Sequence, residues 1–309
     1  MRFLVTGGAG FLGTALANRL AGNGHNVHVL DDLSNGDPQR LDGRVAFTRG
    51  DVDNVPLLWS LLQEVDCVCH LAARVSVPQS VLYPREYARV NVGGTVSLME
   101  AMRDTGVGRV IFTSSGAVYG NQPRRLVGED DPPHPDSPYA VSKWAAEQYI
   151  HTIGELWGIE TVALRIFNTY GPGQSLPLSH APVVPRFLQQ ALTGGSITVF
   201  GDGRQVRDYV YVDDVIDALA AATTATGISR GVIQRGRGRE ASVAGLIDEI
   251  ERVTGVEASI IFNSEKVGGV PHLAADISRA RELLGFQPRI DLETGLKLIM
   301  ERDPRFRIH

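Results

Sequence analysis

The chain has 309 residues, of which 43% are hydrophobic and 21% charged, with a formal net charge of -5. That balance suits one large globular domain or two modest ones. It excludes wholesale disorder, collagen (34 glycines without a Gly-X-Y period) and a basic coat for nucleic acid. Two cysteines, Cys67 and Cys69, exclude a disulfide framework and a four-thiolate zinc site. Phe3–Val5 is all that separates Arg2 from Thr6, too short for a signal-peptide core, and no run nears the roughly 18 apolar residues of a membrane helix. The expectation is a soluble, cytoplasmic protein with neither membrane nor nucleic-acid partners. Lysine occurs only at 143, 266 and 297, so each marks a position where Arg does not serve.

In chain order, 2–6 reads as a buried strand and 11–20 as a helix with apolar positions Phe11, Leu12, Ala15, Leu16 and Leu20. Strands follow at 27–30, 45–48, 67–71 and 110–113, separated by helices at 55–63 and about 84–103. A helix opens at Pro138 and runs to Trp157, leading into a strand at 161–166. This alternation predicts an α/β fold of Rossmann type, a doubly wound parallel sheet with helices on both faces. After Phe167 the rhythm loosens around Gly171, Pro172, Gly173, Pro177, Pro182 and Pro185. Helices at 184–192, 213–222, 243–254, 278–284 and 292–300, with strands at 197–200 and 258–262, predict a smaller C-terminal lobe. The division expected is 1–167 plus about 203–226 for the first domain, and 168–202 plus 227–309 for the second. A ligand cleft belongs between them.

Thr6-Gly7-Gly8-Ala9-Gly10-Phe11-Leu12-Gly13 joins the first strand to the first helix. Gly8, Gly10 and Gly13 fit G-x-G-x-x-G; Gly7, Gly10 and Gly13 fit G-x-x-G-x-x-G. Such a turn lets backbone N–H groups and a helix N-terminus approach a pyrophosphate. Asp31 and Asp32 close the second strand about 20 residues on, where a carboxylate binds ribose hydroxyls and repels a 2′-phosphate, favouring NAD over NADP. The other reading of that pair is loop capping before Ser34-Asn35-Gly36. Asp51 suits the adenine amino group, or a helix N-cap. Cys67 and Cys69 read as small core residues and His70 as a packed histidine, with no metal site.

Tyr139 and Lys143 lie four apart on one helical face, about 6 Å along the axis. An ammonium there is expected to favour phenolate and to bring the phenol from near 10 toward neutrality, making a base for a sugar hydroxyl. The alternative is an ordinary helix face. Ser115, at the carboxyl end of the fifth strand, is placed to orient the reacting hydroxyl; Ser114 reads as strand-end capping. No G-x-S-x-G elbow marks a nucleophile.

TGGAGFLG (6–13), DDLSNG (31–36), GDV (50–52), HLAA (70–73), NVGGT (91–95), TSSGAVYG (113–120), SPYAVSK (137–143), RIFNTYGPG (165–173), GDGRQVRDYVYVDD (201–214) and PHLAADISRARELLGF (271–286) occur in order. This set resembles the extended short-chain dehydrogenase/reductase family, in its NAD-dependent nucleotide-sugar epimerase/dehydratase branch. The resemblance implies that Gly7, Gly10, Phe11, Leu12, Gly13, Asp31, Asp32, Asn35, Asp51, Val52, Leu71, Ala72, Ala73, Asn91, Tyr139 and Lys143 hold NAD. It implies Tyr139, Lys143 and Ser115 as catalytic residues, with Ser115, Tyr139, Asn168, Val184, Arg186, Arg207 and Lys266 meeting the sugar nucleotide. For Arg207 the other reading is an ion pair with Asp208.

Two departures bear on activity. Dehydratases of this branch carry acids after the Ser/Thr, where this chain has Gly116 and Ala117; this favours 4-epimerisation of a UDP-sugar through a 4-keto intermediate. Upstream of Pro271, where relatives have an Arg with an acid three residues on, stand Lys266 and Gly269. A 4-ketoreductase, dehydratase or decarboxylase is the alternative enzyme, and a non-catalytic NAD-sensing protein the alternative of another class. The resemblance also implies a homodimer through the helices near 84–103 and 139–157.

Overall fold

A computed structural model describes residues 1–122, 126–177, 181–264 and 270–307. The first half alternates as the periodicity requires: β1 (Arg2–Thr6), α1 (Phe11–Gly22), β2 (Asn26–Asp31), β3 (Ala46–Arg49), α2 (Val55–Leu61), β4 (Cys67–His70), α3 (Val77–Leu82), α4 (Pro84–Tyr87), α5 (Gly94–Thr105), β5 (Arg109–Ser115), β6 (Leu126–Val127), α6 (Pro138–Trp157) and β7 (Glu160–Ile166). Then come β8 (Asn168–Tyr170), α7 (Val183–Leu192), β9 (Ile197–Phe200), β10 (Val206–Arg207), β11 (Tyr209–Tyr211), α8 (Val212–Thr224), β12 (Gly231–Arg235), β13 (Ala241–Ser242), α9 (Val243–Thr254), β14 (Ile260–Asn263), β15 (His272–Ala275), α10 (Ser278–Leu284) and α11 (Leu292–Arg302).

Seven strands form one parallel sheet in the order β12-β7-β5-β4-β1-β2-β3. Strand alternation sorts its side chains between two cores. Phe3, Val5, Val29, Cys67, Cys69, Ile111 and Leu164 pack with Leu16 and Leu20 of α1 and Val215 and Leu219 of α8. Leu4, Leu30, Val68, Val110, Phe112 and Ala163 pack with Leu58 of α2, Leu98 and Met102 of α5, and Ile150 of α6. Cys67 and Cys69 are therefore buried as core residues, as free thiols.

β12 falls inside the 227–309 segment assigned by rhythm to the second lobe, yet it pairs with β7 at the edge of the large sheet. Its short apolar run is bracketed by turns that belong to the smaller lobe, so rhythm alone places it wrongly. That lobe holds a four-stranded sheet, β13-β10-β15-β6, and two parallel pairs, β8 with β11 and β9 with β14. The two-residue strands escape sequence detection because they are too short to show a period. The helix expected over 84–103 is helical throughout, but Ala88–Gly93 is a π-helical segment between α4 and α5. Such i→i+5 turns frequently accompany functional sites.

α6 starts and stops as its sequence dictates. Ser137 accepts the Ala140 N–H (3.2 Å), Pro138 occupies the first turn, and Gly158 ends the helix at φ +70°. One buried ion pair ties it to the sheet: Arg165 of β7 donates from Nη2 (2.6 Å) and Nε (3.1 Å) to Glu147. Tyr119 Oη accepts from Arg165 Nη1 (2.6 Å) and from Gln234 Nε2 (2.9 Å), extending the network to β12. With Glu147 at 0% and Arg165 at 4% exposure, truncating one partner leaves a buried charge uncompensated. Glu147→Ala is expected to destabilise the protein by about 3–5 kcal/mol, measured by urea unfolding; a loss below about 1 kcal/mol would show that water reaches Arg165.

Candidate active site

The glycine loop is packed too tightly for side chains. Gly7 has φ +67°, and a Cβ there would lie 2.6 Å from Ala72 N. One on Gly13 would enter the Gly7 carbonyl. Gly10 caps α1 without a side chain, so the N–H groups of its first turn face whatever lies beyond the sheet's carboxyl edge. Asp31, only 8% exposed, accepts from Ala9 N (3.0 Å) and Leu33 N (2.8 Å), clamping the loop to β2. Asp32 accepts from Ser34 N (2.8 Å) and lies 3.5 Å from Arg74. Both acids thus do the backbone capping that sequence left open, and Asp32 is the more accessible. Asn35 is exposed, Asp51 is half-buried and hydrogen-bonded by Arg89 (3.0 Å), and Val52 is buried.

Leu71, Ala72 and Ala73 follow β4 past this loop, half-buried. Asn91 sits in the π turn and is buried. Its Nδ2 donates to Arg74 O (3.0 Å) and Ser142 Oγ (2.9 Å), and its Oδ1 accepts from Arg74 N (2.8 Å). The π turn therefore holds the segment after β4 against α6. His70 bridges Thr6 Oγ1 (2.7 Å) and Thr95 Oγ1 (2.9 Å). Because the Thr95 hydroxyl donates to Asn91 O (2.6 Å), His70 must donate from Nε2, and burial keeps it neutral, down to about 3. It is a packed histidine. Among the described residues no group of three or more His, Cys, Asp or Glu is arranged to hold a metal ion.

Tyr139, Lys143 and Glu147 occupy one face of α6, at steps of four. Ser115, whose Oγ accepts from Ala117 N (3.1 Å), lies close enough to the Tyr139 phenol to act on its ionisation. The Tyr87 ring stands edge-on at 6.4 Å. Lys143 is 3% exposed, its Nζ 4.3 Å from the centroid of Phe112. Burial pulls its ammonium down to about 7, against the pull of Glu147. The expected drop of the Tyr139 phenol toward neutrality is not what the structure shows. Burial pushes it up, with Ser115 opposing and Tyr87 adding to the rise. Lys143 lies over Phe112, and at Tyr139 the cost of burying an anion sets the direction.

In the smaller lobe, β8 and β11 set Asn168 opposite Tyr209, two residues from Arg207. Arg207 does not pair with Asp208. Its Nη1 donates to Val206 O (2.7 Å) and Val270 O (2.8 Å), while Asp208 accepts from the backbone of Arg237, Gly238 and Ala275. Val184 is buried in α7, and Arg186, two residues on, leaves its buried Nε unpartnered. Burial lowers both guanidiniums. Lys266 and Gly269 lie outside the described residues, as do 178–180 of the segment before α7.

The model of the NAD dependent epimerase/dehydratase family matches residues 3–233. The chain belongs to this family. It is 40% identical to the UDP-glucose 4-epimerase of Mycolicibacterium smegmatis, over 97% of this chain and 98% of that protein. It superposes on the UDP-glucose 4-epimerase of Thermotoga maritima, solved with UDP-glucose, with a TM-score of 0.93 and 35% identity over 97% and 98% of the two chains. On the UDP-glucuronic acid 4-epimerase of Bacillus cereus, solved with UDP-glucuronic acid and NAD, the TM-score is 0.89 at 34% identity, over 97% and 98%.

As a member of this family the chain uses NAD, and its own residues fit the cofactor: side-chain-free glycines, an uncapped helix start and two acids ending β2 meet at one edge of the sheet. Three residues of the site were not singled out from sequence. Glu147 had a signal, the third member of an i, i+4, i+8 face. So did Arg165, a lone charge in an otherwise apolar strand. Tyr87 had none, since only the fold brings α4 to α6. The depressed Lys143 carries a consequence for stability. Between about 7 and its ordinary 10.5, the unfolded chain holds a proton that the folded chain does not, so stability rises with pH across that window. Urea unfolding of nucleotide-stripped protein is expected to show a positive slope there, approaching about 1.4 kcal/mol per pH unit. Lys143→Met should flatten it; equal slopes would mean that Lys143 stays charged.

Proposed function

We propose that the protein is an NAD-dependent UDP-sugar 4-epimerase. The carrying observation is the placement of the Tyr139 phenol near Ser115 at the carboxyl edge of the sheet, with buried Lys143 one turn on, in a fold that matches 4-epimerases over nearly its full length. The reaction is an oxidation and re-reduction at one carbon, for which bound NAD supplies the hydride chemistry. Tyr139 takes the C4 hydroxyl proton and later returns it on the opposite face, while Ser115, beside the phenol, orients the hydroxyl. Gly7, Gly10, Phe11, Leu12, Gly13, Asp31, Asp32, Asn35, Asp51, Val52, Leu71, Ala72, Ala73 and Asn91 form the cofactor's bed, with Lys143 at its inner end.

Arg186 and Arg207, together with Asn168 and Val184, grip the nucleotide. Two half-buried guanidiniums with no carboxylate partner among the described residues suit a diphosphate. Lys266 is assigned to the same anion on the resemblance alone. A firm hold on the nucleotide leaves the hexose free to turn and present its other face. A dehydratase is disfavoured because Gly116 packs on Phe167: a Cβ there would lie 3.0 Å from the ring, leaving no place for an acid. Retention of both Tyr139 and Lys143 argues against a non-catalytic sensor.

Tyr139→Phe is expected to keep NAD and lose about 10²–10⁴-fold in kcat. The assay follows UDP-glucose, UDP-N-acetylglucosamine and UDP-glucuronic acid to their 4-epimers; full activity would sink the assignment, and loss of water or carbon dioxide would indicate the alternative enzymes. We also infer a homodimer, on the exposed apolar residues Val81 (64%), Leu82 (70%), Tyr83 (60%) and Leu156 (73%) of α3, its C-cap and α6. Sedimentation should show a dimer that Leu82→Glu converts to monomer; a monomeric parent protein would overturn it.

A further inference from the structure

A cavity of about 420 Å³ opens outside the site described above, lined by Arg237, Arg239, Arg281, Gln287 and Pro288. It shares no residue with the proposed catalytic or nucleotide-binding set. Its three arginines form no ion pair among the described residues. Their neighbours do: Arg279 pairs with Asp130, Arg289 with Asp217, Arg252 with Glu293 and Arg302 with Asp213. Arg239, Arg281 and Gln287 are exposed and Arg237 is half-buried, so the cavity opens directly to solvent.

The carboxylates that feel Arg237 and Arg281, those of Asp208, Asp291 and Asp276, are engaged elsewhere. Asp208 lies close enough to feel Arg237 but accepts three backbone N–H groups, at 2.6, 2.9 and 3.2 Å. Asp291 caps α11 through Thr294 N (2.9 Å), and Asp276 is held by Ser278 (2.6 Å). A second observation points the same way. Arg235 is wholly buried, and its Nε, Nη1 and Nη2 have no hydrogen-bond partner. Its guanidinium stacks 4.3 Å from the centroid of Phe286, the residue directly before Gln287 and Pro288 of the cavity wall. A fourth cation therefore backs the same turn.

We propose that this cavity is a binding site for a small organic phosphate, separate from the catalytic cleft, and that its occupant alters the affinity for the nucleotide sugar. Guanidinium forks match phosphate oxygens bidentately, Gln287 adds an amide donor, and the volume suits a molecule of nucleotide size. The link to the cleft is short. Residues 236–240 join β12 to β13 and carry Arg237 and Arg239. β13 pairs Ala241 with Arg207, and the N–H groups of Arg237 and Gly238 clamp Asp208, the next residue. An anion drawing on Arg237 pulls on the strand that presents Arg207. This coupling rests on the reading of Arg207 as a diphosphate ligand; binding at the cavity does not.

The test uses NAD-loaded protein saturated with UDP to block the cleft, titrated calorimetrically with inorganic pyrophosphate and, separately, with ATP. Sodium chloride at matched ionic strength is the blank. One site is expected, weakened at least tenfold in Arg239→Glu/Arg281→Glu, whose KM and kcat without pyrophosphate stay unchanged. Absence of binding, or equal binding by the double variant, would overturn the site. In epimerase assays, pyrophosphate should shift the KM for the UDP-sugar at least twofold in the parent protein beyond any shift in the variant, with kcat constant. Identical shifts in both would mean competition in the cleft and would overturn the coupling while leaving the site. An inactive parent protein that still binds pyrophosphate would instead count against the epimerase reading.

Discussion

The Glu147–Arg165 pair is what lets a buried lysine and a half-buried tyrosine sit at the end of a parallel sheet. Without it, α6 would bring Lys143 against Phe112 with no carboxylate near, and β7 would carry a lone guanidinium into the core. The two residues offset each other's charge through a two-point contact, and Glu147 lies one turn from Lys143, where it opposes the loss of the ammonium proton. Tyr119 accepts a further hydrogen bond from Arg165 and another from Gln234, so the network spans α6, β7 and β12. Burying such a pair confers little stability in itself; what it supplies is a fixed register between the helix and the sheet.

In the proposed assignment, the cofactor side and the sugar-nucleotide side are built on opposite electrostatic terms. On the proposed cofactor side the three acids each have a partner: Asp31 in backbone N–H groups, Asp51 in Arg89, and Asp32 near Arg74. The backbone itself is left to approach the ligand. The guanidiniums of Arg186 and Arg207 stand without carboxylate partners among the described residues, and burial disfavours their charge. The same pattern, cations without counter-charges, recurs at the cavity of Arg237, Arg239 and Arg281.

The behaviour of Tyr139 shows where spacing misleads. Four residues along a helix place two side chains on one face, but the direction of a pKa depends on where each side chain ends and how dry its surroundings are. Lys143 turns to Phe112, Tyr139 to Ser115, and desolvation raises the phenol.

Most of the sheet was legible along the chain because each strand is an apolar run closed by glycine, proline or a cap, and each helix shows its period. The glycine turn and the α6 face could also be read locally, since their chemistry rests on neighbours within eight residues. What tertiary structure alone decided is everything assembled across the sheet: β12 at its edge, Tyr87 against Tyr139, Asn91 bridging to Ser142 through a π turn, and Arg165 reaching Glu147. Those contacts join residues many positions apart. Their energies come from burial and from charges brought together in a low-dielectric interior, which no periodicity within one segment encodes.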